Sequence, residues 1–195
     1  MLPFEYALFM YVNASPATHG WVIDLANWLT LILPMCLAGA VIGAFLFAPK
    51  PVQRDLLVAV AAMLLAALFA YVIRKFWPMA RPAQLGWGIQ WIEHSMRAAF
   101  PSMHATNAFA LAQGLLLAPH IRRMPMGRWV IAAVWISAIG IAWSRVCLGV
   151  HSPSDVLGGA VLGIFSASLI TMVIRLVTQR TTTGSASVGA APVSV

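Results

Sequence analysis

The chain predicts an all-α fold, a polytopic membrane helix bundle of about five transmembrane helices with an N-terminal interfacial or re-entrant helix. Three observations lead there. Of 195 residues, 61% are hydrophobic and only 9% are charged, where a soluble domain carries roughly 25% charged residues. The apolar residues run on for close to the ~20 positions that a helix needs to cross a hydrocarbon core about 30 Å thick. Prolines mark most of the boundaries between those runs.

Taken in order, Met1 to Asn13 is apolar but too short to span, and reads as the interfacial or re-entrant element. The spans follow as Trp28–Phe47, Leu56–Phe76, Ala105–Ala118 extended back into the segment before it, Trp129–Val150 and Val156–Val177. Pro49 and Pro51 close the first hairpin, and Pro119 and Pro125 flank the loop between the third and fourth spans. Ser152-Pro153 opens the last helix, Ser at the N-cap and Pro at the first helical position. Gly159 and Gly163 form a GxxxG pair, a weak signal for close helix packing. Residues 1–180 make one membrane domain. The tail 181–195, rich in Thr, Ser, Gly and Ala, reads as disordered. Cys36 and Cys147 lie in or near apolar segments and read as small packing residues, not a disulfide. The N-terminus lacks the basic region of a secretory signal, since no Lys or Arg precedes Lys50.

The net charge of +7 does not indicate nucleic acid, because the basic residues follow topology. Lys50, Arg54, Arg122, Arg123, Arg128, Arg175 and Arg180 fall on one side. Arg74, Lys75, Arg81, Arg97 and Arg145 fall on the other. The positive-inside rule makes the first side cytoplasmic. The second side then holds the end of span two, the start of span three, the end of span four and the start of span five.

Three motifs meet on that second side: Arg81-Pro82, then Pro101-Ser102-Met103-His104, then Ser144-Arg145-x5-His151-x3-Asp155. Arg holds phosphoryl groups because its planar fork donates paired hydrogen bonds and keeps its charge. A lone Arg at a membrane boundary more often snorkels to headgroups; two Arg beside two His and an Asp argue otherwise. Ser102 and the start of span three offer a hydroxyl and a helix N-terminus to an anion, although Ser102 serves equally well as a plain N-cap. His104 is placed to give a proton to a leaving oxygen, or to act as a packing histidine. Asp155 can orient His151 so that one ring nitrogen is left to attack; it also fits a helix cap, and the two roles are compatible. Glu93 and His94 are adjacent but two residues do not make a metal ligand set. Trp77, Trp87, Trp91 and Trp143 read as an aromatic belt, and the connection from Ala83 to Phe100 is long.

These segments resemble the signature of the type 2 phosphatidic acid phosphatase (PAP2) family, K-x6-R-P, P-S-G-H and S-R-x5-H-x3-D. The third motif matches at each defined position. The second has Met103 in place of Gly, and the first has Arg74 in the Lys slot with Lys75 beside it. The resemblance implies a metal-independent lipid phosphatase without cofactors. In it His151 attacks phosphorus and becomes a phosphohistidine, Asp155 orients it and His104 protonates the leaving group. Arg74 or Lys75, Arg81, Ser102 and Arg145 hold the phosphoryl oxygens. Within the family, the strings Leu8 to Pro16 and Ser144 to His151 resemble bacterial undecaprenyl-diphosphate phosphatases. That implies carrier-lipid recycling for peptidoglycan synthesis, in the bacterial inner membrane with an extracytoplasmic site. Phosphatidylglycerophosphate, phosphatidate or a lipid A phosphate are the alternative substrates, so the expected partners are polyprenyl or glycerol lipid phosphates and membrane lipids. A reading from another class is a small transporter subunit. Against it, the charges sit at helix ends and the spans lack paired Gly/Pro-broken helices.

Overall fold

The computed structural model describes residues 3–93 and 98–188. His94, Arg97 and residues 189–195 lie outside the described residues. The described chain is helical, in the order α1 (Pro3–Val12), α2 (Gly20–Leu31), α3 (Leu33–Phe47), α4 (Lys50–Phe76), a 3₁₀ turn (Pro82–Leu85), α5 (Met103–Leu117), α6 (Pro119–Arg123), α7 (Gly127–Cys147) and α8 (Pro153–Val188).

Four segments among the described residues are long and apolar enough to cross a bilayer: Gly20–Phe47, Lys50–Phe76, Gly127–Cys147 and Pro153–Gln179. The first starts at Gly20 and not at Trp28. Asp24 and Asn27 dilute the apolar run there, and Asp24 is exposed at the end of the helix. The break between α2 and α3 is slight. Ile32 keeps helical angles and still donates to Trp28 O, while Pro34 in the first turn of α3 has no N–H to continue the ladder. The expected third span is α5, which has only 15 residues. It is short because it is the centre of the bundle. It packs against α4, α7 and α8, and protein, not lipid, covers its ends. Its positions 108–112 are all buried, as are Ala105, Thr106, Gly114 and Leu115. By contrast α3 buries none of its residues and turns Met35, Ile42, Leu46 and Phe47 outward, as a lipid-facing helix does.

Two other expectations change. Helix α8 continues to Val188, through residues 181–188 that read as disordered. Thr181–Thr183 and Gly184 are weak helix formers, but none of them breaks a ladder already formed, and the next Pro is Pro192. Both cysteines are free, and while Cys147 is buried, Cys36 is exposed on α3 instead of packed.

The GxxxG pair has a specific use. A Cβ added at Gly159 would lie 2.7 Å from Ser102 O, and one at Gly163 would lie 2.4 Å from Thr106 O. Backbone meets backbone there, so α5 and α8 approach as closely as they do only because these positions lack side chains. Gly163→Val should destabilise the fold by about 1–3 kcal/mol, the usual cost of overpacking. The thermal midpoint in detergent should fall well below that of an Ile164→Val control. Equal midpoints would mean that the two helices do not pack this tightly.

Candidate active site

The C-termini of α4 and α7 and the N-termini of α5 and α8 meet at one end of the bundle. The turn from α7 to α8 is tight. Leu148 N bonds Ser144 O at 3.0 Å, and Val150 N and His151 N both bond Arg145 O, at 3.1 and 3.2 Å. Gly149 makes the reversal with φ of 74°, where a side chain would strike Ile89 O. The reversal returns His151 beneath the end of α7.

His151 is buried, 1% exposed, whereas the sequence suggests a residue at the membrane edge. Its Nδ1 lies 3.3 Å from Asp155 Oδ2. The same carboxylate oxygen accepts from Ser152 N at 2.9 Å. Asp155 therefore caps α8 and holds the histidine together. On the other ring edge, Nε2 lies 3.4 Å from an Arg81 guanidinium nitrogen, which also donates to Val150 O at 2.8 Å. Guanidinium can only donate and carboxylate can only accept. Both neighbours thus select one tautomer, with the proton on Nδ1 and the lone pair on Nε2. Burial, then the neighbouring Arg74, pulls the Arg81 guanidinium below its usual pKa, and Asp155 opposes that shift.

Arg145 is 1% exposed and donates to Thr30 Oγ1 on α2 at 2.6 Å. Arg74 reaches from the last turn of α4 to Pro101 O at 3.0 Å and Ala99 O at 3.4 Å. The adjacent Lys75 is exposed, with its ammonium 5.9 Å from the Phe76 ring, away from the cluster. Ser102 sits at the N-cap position of α5 but makes no capping bond through its side chain. Its backbone N donates to Asp155 O at 2.9 Å, and its Oγ is buried with no hydrogen-bond partner among the described residues. The side chain of Ser102 is thus not used as a cap. Arg74, Arg81, Ser102, Arg145, His151 and Asp155 are thus gathered at one end. His104 lies half a turn further along α5, half-buried. With Met103 and Asn107 it lines a cavity of about 470 Å³ whose other walls are apolar and come mainly from α3 and α4, among them Leu37, Val41, Met63 and Leu64.

Three contacts were not foreseen from the motifs. Thr30 holds Arg145. Glu5 on α1 accepts from Ser154 Oγ, next to Asp155. Asn13 ties three segments over the site: its amide donates to Ile89 O and Cys147 O, and its Oδ1 accepts from Ile89 N, all at 2.8–3.0 Å. Asn13 lies in the Leu8–Pro16 string, so a signal existed for it. Thr30 inside an apolar span gave none. Trp91 Nε1 donates to Ala14 O at 2.8 Å, and Trp87 packs on Tyr6 and Phe9. Trp143 packs with Cys147 and Leu148. Of the four tryptophans expected in a belt, only Trp77 is strongly exposed, at 71%. The others brace the end of the bundle that carries His151.

Comparison with known proteins shows the family and the fold. The model of the PAP2 superfamily matches residues 55–179. "Putative undecaprenyl-diphosphatase YbjG" of Escherichia coli is 32% identical over 84% of this chain and 81% of its own length. A decaprenylphosphoryl-5-phosphoribose phosphatase of Mycobacterium tuberculosis is 29% identical, covering 85% of this chain and 88% of its own. Among solved structures, LpxE of Aquifex aeolicus superposes with a TM-score of 0.71 at 22% identity, over 87% of this chain and 95% of that one. A PAP2-type phosphatidylglycerolphosphate phosphatase of Bacillus subtilis gives 0.70 at 20% identity, over 88% and 85%. With the family pattern spread over the helices that build the site, and the same helical fold in its solved members, this chain belongs to the PAP2 superfamily and is a multi-pass membrane phosphatase of that family.

Proposed function

We propose that the chain hydrolyses undecaprenyl diphosphate to undecaprenyl phosphate, recycling the carrier lipid of cell-wall synthesis. The observation that carries the chemistry is the pairing of the two His151 nitrogens, one with Asp155 and one with Arg81. Nε2 attacks the terminal phosphorus as the bond to the bridging oxygen breaks, and His104 protonates that oxygen. The phosphohistidine is then opened by water, whose proton passes to His104, and inorganic phosphate leaves. Phosphoryl transfer depends mainly on positioning and charge stabilisation. Arg74, Arg81 and Arg145 supply fixed positive charge, and the idle Ser102 hydroxyl supplies a neutral donor. The apolar cavity that reaches His104 favours a lipid leaving group, because a chain can lie along it between α3 and α4.

The preference for a polyprenyl diphosphate rests on the E. coli relative and on the Leu8–Pro16 and Ser144–His151 strings. A panel of undecaprenyl diphosphate, phosphatidylglycerophosphate and phosphatidate, presented to the purified protein in detergent with EDTA, tests it. Phosphate release should be fastest from undecaprenyl diphosphate, should survive EDTA and should be inhibited by vanadate. Faster release from either glycerol lipid would reassign the substrate, and loss of release in EDTA would overturn catalysis by fixed cations.

The charge distribution supports an extracytoplasmic site. A single cysteine in the 83–93 segment, on a background lacking Cys36 and Cys147, should react with an impermeant thiol reagent in intact cells. A cysteine at Arg123 should react only after lysis. The reverse pattern would put the site on the cytoplasmic face, where carrier lipid released outside cannot be its substrate.

A further inference from the structure

A second cavity, of about 420 Å³, lies between α4, the α5–α6 junction and α8. Arg54 and Arg74 are 20 residues apart on α4, so this cavity is about 30 Å along the helix from the cluster around His151. One part of its wall is cationic, with Arg54 and Arg175, and another is apolar, with Val58, Leu117 and Ile174. The acid in the wall is already engaged. Asp55 accepts from His120 N at 2.8 Å, Ile121 N at 3.1 Å and His120 Nδ1 at 3.1 Å. Its charge is spent on capping α6, and the two arginines set the sign of the site. Arg175 donates to Leu117 O at 3.1 Å, which anchors it at the rim. Thr171, more than nine-tenths buried, lines the same cavity with a hydroxyl that has no hydrogen-bond partner among the described residues. In a helix such a hydroxyl commonly bonds the carbonyl one turn back; Ser166 and Ser168 in α8 do so.

A wall that is cationic and apolar at once, at one end of two membrane-length helices, matches a ligand with a phosphate at one end and a hydrocarbon chain at the other. We infer that this cavity binds one anionic phospholipid, its phosphate between Arg54 and Arg175 and its chain against Val58, Leu117 and Ile174. A free phosphate ion would satisfy the arginines but leave the apolar wall uncovered. The wall also holds a histidine–carboxylate pair, His120 with Asp55, but not the cluster of guanidinium groups that surrounds His151, so the lipid is bound here and not turned over.

The test is native mass spectrometry of the delipidated full chain in detergent, offered phosphatidylglycerol or phosphatidylcholine at equal concentration. Phosphatidylglycerol should be retained roughly thirtyfold better, as expected from two arginines near a headgroup. The preference should fall to near parity in Arg54→Gln/Arg175→Gln and persist in Arg54→Lys/Arg175→Lys. Excess inorganic phosphate should not displace the lipid. Parity in the wild type, or an unchanged preference in the glutamine pair, would overturn the site; the latter result would place the lipid at the His151 end instead. Displacement by phosphate would overturn the lipid as its occupant. If the glutamine pair aggregates, Arg54→Gln and Arg175→Gln singly decide the matter, and a full preference in both rejects the proposal.

Discussion

His151→Ala should lower phosphate release by on the order of 10⁶-fold, the scale seen when a nucleophile acting within a catalytic unit is removed. No neighbour can take its place. Arg81 is held on Val150 O, and Asp155 is tied to Ser152 N and to the start of α8. The variant should still fold, with a modest loss of stability of about 1–2 kcal/mol from one lost buried hydrogen bond and a small void. Rapid base quench of the wild type with radiolabelled substrate should trap a phosphorylated protein that is stable in base and is lost on later acid treatment. The variant should trap none. A well-folded His151→Ala protein that still releases phosphate would falsify the proposed nucleophile. His104→Ala should be gentler on substrates with a good leaving group, where a general acid contributes least.

Arg145→Lys should cost about 10²-fold or more in kcat/KM, although the charge is kept. Removal of a single preorganised donor has an effect of that order. The wild-type guanidinium holds Thr30 Oγ1 with one nitrogen at 2.6 Å and, being planar and rigid, presents the rest of its fork in a fixed direction. An ammonium on a shorter, looser stem cannot hold Thr30 and two phosphoryl oxygens in one plane. The same logic separates the neighbouring cations of the first motif. Arg74→Ala should lose most activity because Arg74 reaches Pro101 O beside Ser102, while Lys75→Ala should remain near wild type because its ammonium sits over Phe76. Kinetics on detergent-solubilised lipid decide both. Full activity in Arg74→Ala with loss in Lys75→Ala would reverse the assignment.

The convergence of the motifs was legible because it rests on few quantities: helix length, the alternation of sides and the i, i+4 spacing of His151 and Asp155. Those are properties of the backbone and of membrane thickness. What was not legible depends on which side chains meet across distant elements. Thr30 looks like any small residue in an apolar span until α2 is laid against α7. Asp55 looks like a charge stranded near a helix start until the Pro119 turn brings two backbone N–H groups onto it. Trp87 and Trp91 carry the composition of an interfacial belt, yet they fasten the segment after the 3₁₀ turn to α1 and to Leu148. Composition places such rings at the right depth but does not say whether lipid or protein receives them. The sequence predicts the central helix as a span from Ala105 to Ala118, extended back into the motif before it. Its length follows from burial on all sides, which a hydropathy window does not see.

The three guanidinium groups at the end of the bundle have a consequence for stability. Arg74 and Arg81 are both near enough to act on Arg145, and Asp155 acts on Arg74 and Arg81. Cations gathered this closely favour a bound dianion. By mass action any phosphate-like ligand that binds only the folded chain adds RT ln(1 + [L]/Kd) to its stability. The product of a phosphatase is such a ligand, so inorganic phosphate is expected both to slow turnover and to protect the enzyme against unfolding. Inhibition and protection by phosphate are therefore two readings of one occupancy, and they should saturate at the same concentration.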